Sequence, residues 1–214
     1  MKFRGFFASL ALASCLAFST VAGTASADGN ADAQKFVQQE HVDIANIMRA
    51  KGNDAQINAV LDKFVDYDEL ARRSFGQPCP PAVAGCTNHW NELNDGQKNE
   101  VKGLLRQLVQ KNYRKQLIKT LDYDIEYQDA RTNQLGDAKV RTQAKSKAKP
   151  RDPAIQVDYL VRGANGTFKV VDIVTEGSSL TKNYYDQFHK MLTTQGEGYP
   201  HVIKKLTDKI AKKD

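Results

Sequence analysis

The side chains best able to do chemistry in this chain are four histidines, two neighbouring acids and a pair of cysteines. His41, His89, His189 and His201 stand apart, and none has a partner at zinc-ligand spacing. Asp172 and Glu176 lie four residues apart on one extended stretch, too weak a pattern for a paired general acid and base. Glu176-Gly177-Ser178-Ser179 lacks the G-x-S-x-G spacing of a nucleophile elbow. Gly163-Ala164-Asn165-Gly166 reads as a hairpin turn and not as a dinucleotide loop. No catalytic residue, metal or cofactor is therefore assigned.

Cys79 and Cys86 close Cys-Pro-Pro-Ala-Val-Ala-Gly-Cys, and their meaning depends on the N-terminus. Lys2 and Arg4, the apolar run from Gly5 to Val21 and Ala25-Ser26-Ala27 have the form of a secretory signal peptide over 1–27. One domain over 28–214 follows. A lipobox reading of Leu12-Ala13-Ser14-Cys15 competes, but apolar sequence runs on past Cys15 to Val21. Removing the leader takes away Lys2, Arg4 and Cys15. The 31 basic residues become 29 against 25 acidic ones, so the net charge falls from +6 to +4. The two remaining cysteines, in an exported chain, predict a disulfide. A metal site would need a second ligand pair, and His89 alone does not supply one.

The elements that position these residues come in segregated runs. Apolar spacing predicts helices over Ala31–Ala50, from a cap at Asp54, and over Tyr67–Phe75. Asn94 and Gln97 have capping-box spacing before the longest helix, whose stripe is Val101, Leu104, Leu105, Leu108, Val109 and Leu117, with Tyr113 beside it. The period then changes to alternation. Tyr123, Ile125 and Tyr127 share one strand face; Val140, Thr142, Ala144, Ser146 and Ala148 share a face of the next. Ile155, Val157, Tyr159 and Val161 mark a third strand, and Asn165-Gly166 turns into a fourth. On that fourth strand alternation puts Phe168, Val170 and Val174 on one side and Val171 and Ile173 on the other. Two helices separated by Gly196-Glu197-Gly198 close the chain. The class is α+β: N-terminal helices, a curved four-stranded antiparallel meander and C-terminal helices enclosing an apolar cavity. Lys139, Arg141, Lys145, Lys147 and Lys149 project together, either to meet an anionic surface or to deter strand pairing. Nucleic acid is excluded as a partner by export and by the absence of interleaved aromatics.

Val171-Asp172-Ile173-Val174, Glu176-Gly177-Ser178, Leu180, Asn183-Tyr184 and Gln187-Phe188 form one ungapped run. It resembles the signature of the MlaC, or toluene-tolerance, family of Gram-negative periplasmic lipid carriers. Ala71-Arg72-Arg73-Ser74-Phe75-Gly76 also matches a family motif, although the cysteine loop separates it from Trp90. The resemblance implies a phospholipid carrier between an outer-membrane lipoprotein–porin complex and the substrate-binding ring of an inner-membrane ABC transporter, maintaining outer-membrane lipid asymmetry. It implies a lining for the acyl chains from Val101, Leu104, Leu105 and Leu108, from Tyr159, Val171 and Ile173, and from Tyr184 and Phe188. Burial of each CH₂ contributes roughly 0.8 kcal/mol, so two chains bind without any specific polar contact. Glu176, Asn183 and Gln187 are expected to tie the strand–helix corner together, with a rim contact to a glycerol or phosphate as the alternative. A hopanoid or other isoprenoid cargo, a cavity enzyme and a periplasmic adaptor are the alternatives.

Overall fold

A stripe at helical spacing makes helix α1 (Ala25–Arg49), with Ala33, Val37 and Ile44 buried and Phe36, Ile47 and Met48 beside them. The computed structural model describes residues 25–164 and 167–212, and their side chains except for 25–28, 114–120 and 164. Residues 1–24, which hold Cys15 and most of the leader expected over 1–27, the Asn165-Gly166 turn and the side chain of Leu117 lie outside the described residues. Helix α1 ends in a Schellman motif. Lys51 takes φ 54°, its N–H donates to the Met48 carbonyl at 3.1 Å, and the Gly52 N–H donates to the Ile47 carbonyl at 2.8 Å. A Cβ at Gly52 would lie 2.4 Å from Ile47 Cγ2, so this close approach requires glycine.

Helix α2 (Asp54–Phe64) is capped by Asn53 and not by Asp54, because Gln56 completes a capping box with Asn53 at 2.9 and 3.0 Å. Asp66 caps α3 (Tyr67–Ser74). Asn94 and Gln97 form the expected box ahead of α4 (Asp95–Thr120). Ser179 caps α5 (Leu180–Thr193), and α6 (Tyr199–Ala211) ends the described chain.

The strands β1 (Tyr123–Thr132), β2 (Ala138–Ser146), β3 (Ile155–Ala164) and β4 (Thr167–Thr175) pair antiparallel in sequence order. A two-residue strand, β5 (Ser178–Ser179), adds a fifth member to the expected meander. It arises because Glu176 and Gly177, at φ 50° and 77°, make a two-residue turn with both central residues in the left-handed region. β2 stops at Ser146, so Ala148 does not share its face.

β4 departs from strict alternation. Val170 stands opposite Val161, but Asp172 stands opposite Leu160, so Val171 is an extra residue in a bulge. Ile173 therefore shares the inner face with Val170, while Val174 moves to the outer face opposite Asp158. Val171 is sealed at the bulge. The Val170 carbonyl accepts the Asp66 N–H at 2.9 Å, which fastens the α2–α3 junction to the edge of β4.

The basic stripe on the outer face is a ladder of ion pairs. Lys139 meets Asp158 at 2.8 Å, Arg141 meets Asp129, Lys145 meets Glu126 at 2.7 Å and Lys147 meets Asp124 at 3.5 Å. Acidic residues on the neighbouring strands neutralise it, a cross-strand arrangement that a single strand's sequence does not reveal. Only Lys149 of this group has no ion-pair partner among the described residues.

Cys79 and Cys86 form the expected disulfide. Beyond it the chain returns to Phe75, whose carbonyl accepts the N–H groups of His89 at 2.9 Å and Trp90 at 3.1 Å. Trp90 then packs edge-on against Phe75 with ring centroids 6.2 Å apart, so the inserted loop leaves that contact intact.

Helix α1 lies across β1, β2 and β3, α4 runs among α1, α2, α3 and α6, and α5 packs on β4 and α3. Among the described residues a large apolar core joins these layers, and a smaller cluster of Ile44, Ile57 and Leu61 lies between α1 and α2.

Candidate functional site

A layer of rings separates the inner face of the sheet from α1 and α2. Phe36 lies 5.7 Å from Phe64 and 6.0 Å from Phe168, and Phe64 lies 6.0 Å from Tyr159. His41 sits among them, edge-on to Tyr159 at 5.0 Å and 5.8 Å from Tyr127. The spacing Val37, His41, Ile44 puts this histidine on the buried stripe of α1, a signal available in the sequence but not used above. Tyr127 and Tyr159 project from the inner faces of β1 and β3.

The polar groups in this layer are held uncharged. Burial pushes the His41 imidazole down to about 4 and the Tyr127 phenol up to about 12. Both are neutral near pH 7, and His41 Nδ1 lies 2.5 Å from the Tyr127 hydroxyl. Burial raises the Tyr159 and Tyr113 phenols further, and Tyr113 feels Tyr159, Asp172, Tyr67 and Tyr184 nearby. Tyr113 borders internal space. That space is narrow. About 10 Å³ remains among Val65, Leu70, Val109, Tyr113, Val170, Asp172, Ile173 and Leu180, far below the ~300 Å³ of a small-molecule pocket. As it stands, that space does not hold an acyl chain.

A larger recess, about 290 Å³, lies on the opposite face of the sheet. The disulfide loop at Pro78, Pro80 and Pro81, the turn at Asn133–Leu135, and Leu160 and Val174 wall it, with Lys139 and Lys182 among its lining. Arg73 and Asp172 also line it, and it lies outside the ring layer.

The anticipated lining residues divide by position. Ile173 borders the narrow interior space, and Tyr159 belongs to the ring layer. Val101, Leu105 and Leu108 are buried on α4, with Leu104 partly exposed beside them. Tyr184 and Phe188 stack at 5.6 Å, and Phe188 packs on Phe75 at 4.9 Å, on the α3 side of α5. Val171 is enclosed in the bulge.

The residues first weighed for chemistry prove to organise the scaffold. Asp172 accepts the Ile173 and Thr181 N–H groups, each at 2.9 Å, and the Ser179 hydroxyl at 2.6 Å. It is the buried polar member of the signature, whereas Glu176, Asn183 and Gln187 are exposed. Those three still brace the corner: Glu176 accepts the Gln156 N–H, Asn183 donates to Ser178 Oγ at 2.9 Å, and Gln187 donates to the Asn183 carbonyl at 2.9 Å. His89 and His189, distant in sequence, meet at 2.8 Å, with Glu92 3.1 Å from the other nitrogen of His89. The three form a line and do not converge, and among the described residues no cluster of three or more His, Cys, Asp or Glu side chains is arranged to hold a metal.

The MlaC family, described as MlaC protein, matches the chain over residues 38–208. This chain belongs to the MlaC family. The match begins within α1, just after Phe36, and takes in the sheet, α2 to α5 and most of α6. Among solved structures, this MlaC-family chain is similar to the phospholipid-binding protein from Ralstonia solanacearum, determined in complex with a phospholipid. The TM-score is 0.65 at 19% identity, covering 84% of this chain and 97% of that one. No curated protein sequence matches significantly. Among the described residues, no helix of the MlaC-family chain is long and apolar enough to cross a membrane.

Proposed function

We propose that this protein is a soluble periplasmic carrier that holds a diacyl phospholipid between its helices and the inner face of its sheet. The observation that carries the reading is the apolar ring layer of Phe36, Phe64, Tyr159 and Phe168, set inside an MlaC-family fold. The similar Ralstonia protein, solved with phospholipid bound, supports it. Tail burial at roughly 0.8 kcal/mol per CH₂ supplies the driving force. As α1 and α4 move off the sheet, Ile173, Tyr159 and Leu104 meet the chains first. Val101, Leu105, Leu108, Val171, Tyr184 and Phe188 form the walls behind them.

In this reading residues 1–27 are a cleaved leader and residues 28–214 the carrier domain. The carrier needs no cofactor and performs no chemistry. It exchanges lipid between an outer-membrane lipoprotein–porin complex and the substrate-binding ring of an inner-membrane ABC transporter. The test is extraction. Delipidated protein is incubated with labelled phospholipid vesicles, the vesicles are sedimented, and lipid left with the protein is counted. About one lipid per protein is expected. No lipid in the supernatant would overturn the carrier reading.

A further inference from the structure

Within the apolar layer the structure keeps several hydrogen-bond donors without partners. Tyr113 and Tyr159 have no hydrogen-bond partner among the described residues. Neither hydroxyl is among the sealed, unpaired polar atoms of the interior, so both touch accessible space. Tyr159 pairs across the strands with Ile173, and Ile173 and Tyr113 border the same narrow interior space. His41 and Tyr127 add a third donor. One proton lies between His41 Nδ1 and the Tyr127 oxygen, so either His41 Nε2 or the Tyr127 hydroxyl keeps a second, free N–H or O–H.

Polar groups this deep are ordinarily paired, and each left unpaired costs about 1–3 kcal/mol. A purely hydrocarbon cargo would leave them so. These groups can offer protons to an uncharged acceptor, and their burial disfavours a charged one. The ester linkages of a diacyl lipid supply such acceptors: each carbonyl oxygen accepts hydrogen bonds and donates none, and it sits at the top of an acyl chain that the surrounding rings can cover.

We infer that Tyr113, Tyr159 and the His41–Tyr127 pair form an ester-recognition site inside the lipid cleft, selecting glycerolipids with acyl-ester carbonyls over ether-linked or polycyclic hydrocarbon lipids. This inference rests on the carrier reading and names the cargo class of the same cleft. Selectivity then comes from the linkage region, while the tails supply most of the affinity.

The test offers delipidated protein an equimolar mixture of two vesicle lipids with the same phosphocholine head and chain length, one diester and one diether. Native mass spectrometry counts the bound forms. The wild-type protein should favour the diester about fivefold, the worth of one neutral hydrogen bond. The double variant Tyr113→Phe/Tyr159→Phe should still bind lipid while its preference falls towards parity. Equal loading of both lipids by the wild-type protein would overturn the ester site and leave the carrier reading standing. So would an undiminished preference in the double variant. Loading of neither lipid would overturn both readings.

Discussion

His41 shows how burial alone sets the behaviour of a residue. Its imidazole is pushed down to about 4, from an ordinary value of 6.5, with desolvation as the cause. The folded state therefore resists a proton that the unfolded chain accepts. Stability from this group is complete above pH 6.5 and is lost as pH falls towards about 4. Tyr127, Tyr159 and Phe64 face the ring and do not titrate in that window. The adjacent Glu40 carboxyl is raised, chiefly by burial, and so works in the opposite direction. Comparing melting temperatures at pH 7.5 and 4.5 for the wild-type protein and His41→Gln isolates the histidine. The variant should lose less stability on acidification; an identical loss would refute the assignment.

At the scale of elements, an alternating ion cluster holds α3 to the sheet. Glu69 binds Arg73 at 2.9 Å and Arg162 at 2.6 Å, and Asp137 binds Arg73 and Arg162 at 2.9 Å each. The Asp137 side chain is 0% exposed and that of Arg73 4%, whereas Arg162 is 40% exposed. Removing a charge from the sealed part strands its partner away from water. Asp137→Asn should therefore cost about 3–5 kcal/mol in urea denaturation. Arg162→Ala should cost less, because water can reach its site. Equal costs would show that burial does not govern the cluster. None of this was legible in the sequence: Arg73 and Asp137 lie 64 residues apart and meet only when α3 packs beside the start of β2. The Asn94–Gln97 capping box, the strand-to-helix corner and the disulfide were legible, since each is fixed by residues only a few positions apart, whereas the cap of α2 was expected at Asp54 and lies at Asn53. The bulge at Val171 was not legible, because adjacent Val170 and Val171 read equally well as a strand apolar on both faces.

Across the whole molecule, segregated runs of helix, strand and helix are enough to announce an α+β fold, and the signature helix shows where the sheet ends. The sequence did not show which apolar residues face a cleft and which merely fill the core. Val101 and Leu105 follow the helical spacing of the α4 stripe, and both are fully buried. Tyr113, a half-exposed residue at the edge of that stripe, borders the interior space instead. The ring layer assembles from α1, α2, β1, β3 and β4, so it exists only in the folded chain. The most direct test of the carrier is native mass spectrometry of the mature protein, purified without added lipid, followed by extraction and identification of whatever it holds. The account predicts co-purified diacyl phospholipid at up to one molecule per chain. A protein that is reproducibly empty, and that takes no lipid from vesicles, would contradict it.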